Sequence, residues 1–160
     1  MITLRKVDSK NVWKLLRLRV REDQDDFVAT NTQSIIEAYT TITAGGVALP
    51  FGVYDGETPV GFLMIGYGVD GTYEDAPKIA YNNYSIWRLM IDKDQQGKGY
   101  GREALRLALD YIRTFPCGEA EYCYLSYEPE NERAKKLYES FGFTENGEYD
   151  GDEIVAVLKL

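Results

Sequence analysis

A glycine-rich turn between a strand and a helix constrains this sequence more than any other feature. It spells QQGKGYGR from Gln95 to Arg102, so that three glycines alternate with other residues. The apolar segment Trp87–Ile91 before it is typical of a strand, and Glu103–Arg113 after it is typical of an amphipathic helix. Glycine lets the backbone turn tightly and approach a ligand, and the free amides of a helix N-terminus attract anions. The stretch therefore predicts a phosphate-binding turn.

The glycine spacing excludes two familiar phosphate sites. A P-loop has the form Gly-x-x-x-x-Gly-Lys-Ser/Thr, and a dinucleotide-binding turn has the form Gly-x-Gly-x-x-Gly. Here a single residue separates Gly99 from Gly101, which fits neither form. What remains is Gln-x-x-Gly-x-Gly from Gln96 to Gly101, a pattern that a bare tight turn also satisfies.

Composition limits the chemistry that the chain can perform. There is no histidine among the 160 residues, so a His-based triad and a His-ligated zinc site are excluded. Cys117 and Cys123 lack the spacing of a metal or redox pair, and we expect no metal and two reduced thiols. The formal net charge of −8 argues against nucleic acid as a partner and is compatible with a cationic substrate.

We expect a single domain over residues 1–160, located in the cytoplasm and away from membranes. The length suits one domain, no apolar run is long enough to span a bilayer, and the N-terminus resembles an amphipathic strand rather than a signal peptide. Apolar periodicity predicts the element order β, α, α, β, β, β, α, β, α, β, β, a mixed α/β domain. Within it, Asp55-Gly56 predicts a hairpin. Ser34-x-x-Glu37 predicts the start of the second helix.

A second motif follows the glycine turn. It reads N-x-x-A-x-x-L-Y-x-x-x-G-F from Asn131 to Phe143, after a strand that ends at Ser126. Together with Gln96–Gly101 it resembles the two acetyl-CoA motifs of the GCN5-related N-acetyltransferase (GNAT) family, over almost the whole chain. The resemblance implies a mostly antiparallel sheet of about six to seven strands, about four flanking helices and a splay between the central strands.

The resemblance also implies which residues hold acetyl-CoA. The backbone of the central strand would pair with the pantetheine arm, the amides of the glycine turn would receive the pyrophosphate, and the second motif would supply two further contacts. Lys98 and Arg102 could face the phosphates. The implied set is Leu89, Met90, Ile91, Gln96, Gly97, Lys98, Gly99, Tyr100, Gly101, Arg102, Asn131 and Tyr138.

The resemblance implies acetyl transfer from acetyl-CoA to a primary amine in a ternary complex. An alkyl ammonium has a pKa of about 10 and must lose a proton before it attacks. Tyr138 is the candidate general acid, and the Met90 backbone amide is the candidate oxyanion donor. No residue stands out as the base, and a water relay is an equal alternative. Trp13, Trp87, Tyr81 and Tyr84 are candidate aromatic contacts for the amine, with core packing preferred for Trp13. The candidate substrate residues are Glu37, Glu74, Asp75, Trp87 and Glu128.

The segment Gln24–Ala38 resembles the first helical region of bacterial spermine/spermidine acetyltransferases. This favours a small polycationic amine such as a polyamine as the acceptor. Trp87 stands where some polyamine acetyltransferases have an acidic residue. The alternatives are an aminoglycoside, an amino acid or a protein amine as acceptor, or a non-catalytic acyl-CoA sensor. A homodimer is compatible with the fold, although no interface is visible in the sequence.

Overall fold

The computed structural model describes every residue from Met1 to Leu160. Its strands are β1 (Ile2–Lys6), β2 (Val47–Asp55), β3 (Thr58–Tyr67), β4 (Tyr84–Ile91), β5 (Tyr122–Tyr127), β6 (Thr144–Asp150) and β7 (Glu153–Lys159). Its helices are α1 (Val12–Leu16), α2 (Asn31–Thr43), α3 (Tyr100–Ile112) and α4 (Glu132–Ser140). The predicted order of strands and helices is confirmed. None of these helices combines the length and hydropathy that crossing a bilayer requires.

The seven strands form one sheet in the order β1-β2-β3-β4-β5-β7-β6. All neighbours are antiparallel except β4 and β5, which are parallel. These two strands pair only at Tyr84↔Cys123 and Ser85↔Tyr124 and then separate. The predicted splay between the central strands is confirmed. It leaves the β5-facing edge of β4 without a strand partner from Ile86 onward.

A β-bulge lies in β4 just past the point of separation. Ile86 pairs with Ile65, but the next pair is Arg88 with Met64, so Trp87 is an extra residue. A bulge bends its strand and redirects the side chains beside it. The side chains of Trp87 and Arg88 accordingly both reach the α2 side of the sheet. Trp87 packs against the apolar cluster there, and Arg88 binds Glu37 of α2.

Two apolar cores hold the sheet between its helices. The larger lies under α3, where Ala104, Leu105, Ala108, Leu109 and Ile112 are fully buried against the strands. The smaller lies under α2 and joins Ala38, Ala48, Phe62, Met64 and Met90. The central strands are therefore covered on both faces. Only the gap between β4 and β5 remains open.

The start of α2 differs from the prediction. The helix begins at Asn31, and the Thr30 hydroxyl caps it by accepting a hydrogen bond from the Gln33 amide at 3.1 Å. Ser34 is buried within the first turn and donates to the Thr30 carbonyl at 3.0 Å. The prediction that a capping box at Ser34 begins the helix is therefore wrong. Tertiary contact decides between the two hydroxyls, because the Asn31 side chain donates to the Leu15 carbonyl at 2.8 Å.

Gly61 sets the close approach of β3 to β4. A Cβ at this buried position would collide with the Met90 carbonyl oxygen and lie 2.8 Å from the Ile91 side chain. We expect Gly61→Ala to lower the free energy of unfolding by about 1–3 kcal/mol, since the backbone must move to admit the methyl group. Chemical denaturation measures the loss. Gly71→Ala is the control, because a Cβ there meets nothing within 4 Å, and equal stability of the two variants would contradict the prediction.

Candidate active site

A cleft of about 1130 Å³ occupies the gap between β4 and β5. Its walls come from the free edge of β4, the glycine turn, α4, α2 and the adjoining ends of β5, β6 and β7. The cleft is open on both faces of the sheet because the gap passes through it. Groups from the α3–α4 side and the α2 side therefore meet in one space.

The direction of the β4 amides corrects one sequence prediction. Asp92 just past β4 donates its amide to the Val60 carbonyl of β3 at 2.8 Å. Since alternate residues of an antiparallel strand point to the same neighbour, the Met90 amide also points to β3. It is used in the sheet and does not face the gap. The amides of Leu89 and Ile91 point into the gap instead.

The glycine turn presents free amides at the other end of β4. Gly97 and Gly99 adopt φ values of +79° and +82°, the left-handed region that glycine enters most easily. The amides from Gln96 to Arg102 donate to no backbone acceptor, whereas those of Gln95 and Glu103 on either side do. They also lie at the positive end of the α3 dipole. The turn therefore fits a pyrophosphate group.

The two basic side chains of the turn do not both reach the cleft. Lys98 is exposed outside the cleft lining and donates to Gln95 at 2.8 Å. Arg102 lines the cleft, where it donates to the Ser140 hydroxyl at 2.8 Å and lies over the Phe141 ring. Backbone amides rather than cationic side chains thus provide most of the anion-binding capacity of the turn.

Two glutamines connect the glycine turn to the segment before α2. The Gln96 side-chain nitrogen donates to the Gln24 oxygen at 2.8 Å and to the Ile91 carbonyl at 3.0 Å. The Gln24 side-chain nitrogen donates in turn to the Gln96 side-chain oxygen at 3.3 Å. Gln24 belongs to the charged run Arg21–Asp26, and it lines the cleft with Asp25 and Asp26.

Helix α4 brings Asn131 and Tyr138 to the cleft. The Asn131 side-chain oxygen caps the helix by accepting a hydrogen bond from the Ala134 amide at 3.2 Å. The side-chain nitrogen of Asn131 is left free to donate. The Tyr138 ring lies between Tyr127 and Phe143, at centroid distances of 5.9 and 6.1 Å. Burial, with a smaller effect of the Glu153 charge, raises the pKa of Tyr138 to about 12. The phenol is therefore protonated at neutral pH and can donate a proton.

The cleft has a strongly acidic lining, which we call the acidic wall. Eight carboxylates and three guanidinium groups line the cleft as a whole. The carboxylates are those of Asp25, Asp26, Glu37, Asp70, Glu74, Glu128, Asp150 and Glu153. This excess of negative charge favours a cation, whereas the glycine turn of the same cleft offers free amides to an anion.

Most of the predicted substrate residues meet in this acidic wall. Glu37, Glu74, Trp87 and Glu128 all line the cleft, whereas Asp75 is exposed outside it. Glu37 binds the Arg88 guanidinium at 2.6 Å, with the two side chains 33% and 18% exposed. Part of the Glu37 charge is therefore neutralised within the protein. Arg88 itself lines the cleft beside Glu37.

Three cleft residues of the acidic wall were not predicted from the sequence. Tyr73 donates to the Asp150 carboxylate at 2.5 Å, which joins the loop after β3 to the end of β6. Glu153 begins β7 and lies half-buried in the cleft. Burial, together with the charges of Glu128 and Asp150, raises the pKa of Glu153. Their position depends on how β7 pairs with β5 and β6, and no local sequence signal reports it.

Of the four candidate aromatic contacts, only Trp87 lines the cleft. Tyr84 is fully buried in the larger core and donates its hydroxyl proton to the Gly118 carbonyl at 2.7 Å. Tyr81 and Trp13 are 57% and 69% exposed and lie elsewhere on the surface. The expected core packing of Trp13 is therefore wrong, because α1 turns this side of its single turn and a half to solvent.

Comparison with known proteins places this cleft in a family context. The model of the acetyltransferase (GNAT) family matches residues 14–143. The spermine/spermidine N(1)-acetyltransferase of Bacillus subtilis (strain 168) is 31% identical over 163 residues, covering 99% of each chain. A probable spermine N(1)-acetyltransferase of Bacillus subtilis subsp. natto (strain BEST195) has the same identity and coverage.

Solved structures share the fold at lower identity. The crystal structure of aminoglycoside acetyltransferase AAC(6')-Ib in complex with coenzyme A is 20% identical with a TM-score of 0.76, covering 99% of this chain and 95% of that one. The PaiA N-acetyltransferase from Thermoplasma acidophilum in complex with coenzyme A is 16% identical with a TM-score of 0.65, covering 100% and 99%.

The Glu37–Arg88 pair makes a testable contribution to stability. Glu37→Gln removes the charge opposite a largely buried guanidinium, and we expect a loss of about 1–3 kcal/mol in the free energy of unfolding. The matched control is Glu57→Gln, whose partner Arg5 lies on the surface, with side chains 90% and 38% exposed. Screening by water makes that loss smaller than the loss at Glu37. Urea denaturation of both variants decides, and equal losses would refute the structural role of the pair.

Proposed function

The chain belongs to the acetyltransferase (GNAT) family, and we propose that it transfers the acetyl group of acetyl-CoA to a primary amine, with a polyamine such as spermine or spermidine as the acceptor. One observation carries the proposal. A single cleft is lined by the anion-binding turn and by eight carboxylates, and Tyr138 is among its lining residues. An anionic donor and a cationic acceptor therefore both find complementary charge in it.

The donor side is built from backbone groups. The free amides of the glycine turn receive the pyrophosphate, and the free edge of β4 offers Leu89 and Ile91 to the amide groups of the pantetheine arm. Asn131 adds the free nitrogen of its side chain. Leu89 lies nearer the point where the strands separate, and Ile91 lies nearer the turn. The Leu89 amide, in place of that of Met90, is therefore the proposed donor to the acetyl oxygen.

The acceptor side is built from charge and one aromatic face. The acidic wall attracts an ammonium, and Trp87 lines the same cleft as an aromatic residue that can contact a cation. A polyamine carries several ammonium groups along a thin chain, so a wall of several carboxylates suits it better than it suits a monoamine. The 31% identity to the Bacillus subtilis spermine/spermidine enzyme supports the same acceptor.

Chemistry at the centre requires two proton movements. Acetyl-CoA supplies, when bound, an acetyl group activated as a thioester. Tyr138 holds a proton at its hydroxyl oxygen and can give it to the departing sulfur. The Tyr138 hydroxyl makes no hydrogen bond within the chain, so its proton is free for this purpose.

An amine panel tests the proposed function. Wild-type protein is mixed with acetyl-CoA and spermine, spermidine, kanamycin or a lysine peptide, and free thiol release is followed. We expect kcat/KM to be at least about tenfold higher for the polyamines, a difference of about 1.4 kcal/mol in transition-state binding. A preference for kanamycin or the peptide would show that the acceptor is an aminoglycoside or a protein amine and not a polyamine. Binding of coenzyme A, seen as a raised Tm, without thiol release from any amine would identify a sensor instead.

Tyr138→Phe tests the proton donor. The substitution removes one oxygen and keeps the ring packing against Tyr127 and Phe143. We expect kcat to fall by about 10²-fold or more, as for loss of a general acid, with unchanged Tm and unchanged affinity for coenzyme A. Steady-state kinetics and calorimetry measure these quantities.

The control for this variant is Tyr149→Phe. Tyr149 is 62% exposed and lies outside the cleft, so its loss should leave kcat unaltered. If Tyr138→Phe turned over like the wild type, the hydroxyl would have no part in the reaction.

A further inference from the structure

Glu153 is a cleft carboxylate that no internal partner neutralises. Glu37 is held by Arg88, and Asp150 is held by the Tyr73 hydroxyl. Glu153 takes part in no ion pair, although its side chain is half-buried at the start of β7. Because a free carboxylate inside a cleft is costly, its presence there requires a reason in binding or chemistry.

Charged and titratable groups surround Glu153 on several elements. Burial is the largest cause of its raised pKa, and the negative charges of Glu128 and Asp150 act in the same direction. The Arg88 guanidinium and a hydrogen bond from Ser126 act in the opposite direction and are outweighed. The ionisable groups that face it are Arg88 on β4, Glu128 after β5, Asp150 on β6, Tyr138 on α4 and Tyr73 in the loop after β3.

The position of Glu153 relative to Tyr138 distinguishes it from the other carboxylates. Its charge is the only one that acts on the pKa of Tyr138. Ile154 pairs with Tyr127 and packs against the larger core together with Tyr138, so the adjacent Glu153 points to the other face of the sheet. Both Glu153 and Tyr138 line the cleft. A base for the amine and an acid for the leaving sulfur are needed on the two sides of one carbonyl carbon, and two groups that reach the cleft from opposite faces of the sheet suit that requirement.

We propose that Glu153 is the general base that takes a proton from the ammonium group of the amine substrate; this rests on the proposed function. The proton passes from nitrogen to the Glu153 carboxylate, and the freed lone pair forms the new C–N bond. Tyr138 gives its proton to sulfur as the C–S bond breaks and regains one from the acylated nitrogen. Glu153 then releases its proton to water, so that each acetyl transfer yields one free thiol and one proton.

The pH dependence of Glu153→Gln is the first test. In the wild type, kcat/KM should rise with pH along an acidic limb that reports deprotonation of Glu153. We expect Glu153→Gln to lower kcat by about 10²- to 10⁴-fold and to abolish that limb, with Glu153→Asp restoring part of the rate. The control is Asp152→Asn, the exposed neighbour outside the cleft, which should keep the wild-type profile.

Two results would overturn the proposal. One is a Glu153→Gln variant with raised KM and unaltered kcat, which would make the residue a binding carboxylate only. The other is survival of the acidic limb in that variant. If the wild type acetylates no amine at all, the proposed function fails, which is a different outcome from a wild type that is active and insensitive to Glu153.

An amine of low pKa supplies an independent kinetic test. A diamine fluorinated beside its nitrogens, such as 2,2-difluoropropane-1,3-diamine, has a much larger neutral fraction than propane-1,3-diamine at the same pH. A base is then less needed, so the loss caused by Glu153→Gln should shrink at least about tenfold for the fluorinated diamine. An equal loss for both diamines would contradict the role.

Thermal unfolding without any ligand tests the carboxylate directly. A carboxyl group whose pKa is raised by folding is protonated more easily in the folded state than in the unfolded one, so its ionisation destabilises the fold as pH rises through the folded pKa. Glu153→Gln should therefore raise Tm at about pH 8 and lose that gain below about pH 3, where the carboxyl is protonated in both states. A lowered Tm at about pH 8 would show that the carboxylate is satisfied as a structural partner and would overturn the proposal.

Discussion

The separation of β4 from β5 is the constraint on which the rest of the molecule depends. Two parallel strands that pair at only two positions leave a gap through the middle of a sheet that is otherwise continuously hydrogen-bonded. Such a gap exposes backbone donors and acceptors, which are costly to leave unsatisfied away from water. Every other part of the site uses it: the glycine turn closes one end, α4 crosses one face and the acidic wall covers the other. An extended amide-bearing ligand can complete the sheet where β5 departs.

Local sequence patterns were sufficient for the order of strands and helices and for the glycine turn between β4 and α3. The order of strands and helices follows from apolar periodicity, and the glycine turn follows from residues that are adjacent in the chain. The predictions failed where a contact between residues distant in the sequence determines the local structure. Thr30 and Ser34 are both good capping residues, and the contact of Asn31 with Leu15 selects the first. The direction of the Met90 amide depends on the register of β4 against β3, which no local pattern fixes.

The acidic wall was predicted only in part, and the reason is physical. Its carboxylates come from α2 and the segment before it, from the loops after β3 and β5, and from the β6–β7 hairpin. Glu74 and Glu128 were recognised because acidic residues in polar loops are visible in the sequence. Glu153 and Asp150 begin and end strands, where a charged residue usually points to solvent. Only the pairing of β7 with β5 brings them beside Glu128 and Tyr138.

The two ends of the cleft differ in how they can change during evolution. The anion-binding end is made of consecutive backbone groups, so almost any substitution that preserves the glycines preserves it. The wall across the gap is made of single side chains on separate segments, each replaceable without disturbing the others. A lineage can thus exchange its acceptor while inheriting its donor unchanged. Proteins that share this architecture have names that refer to amines as different as spermine and aminoglycosides, which agrees with such a separation of the two ends.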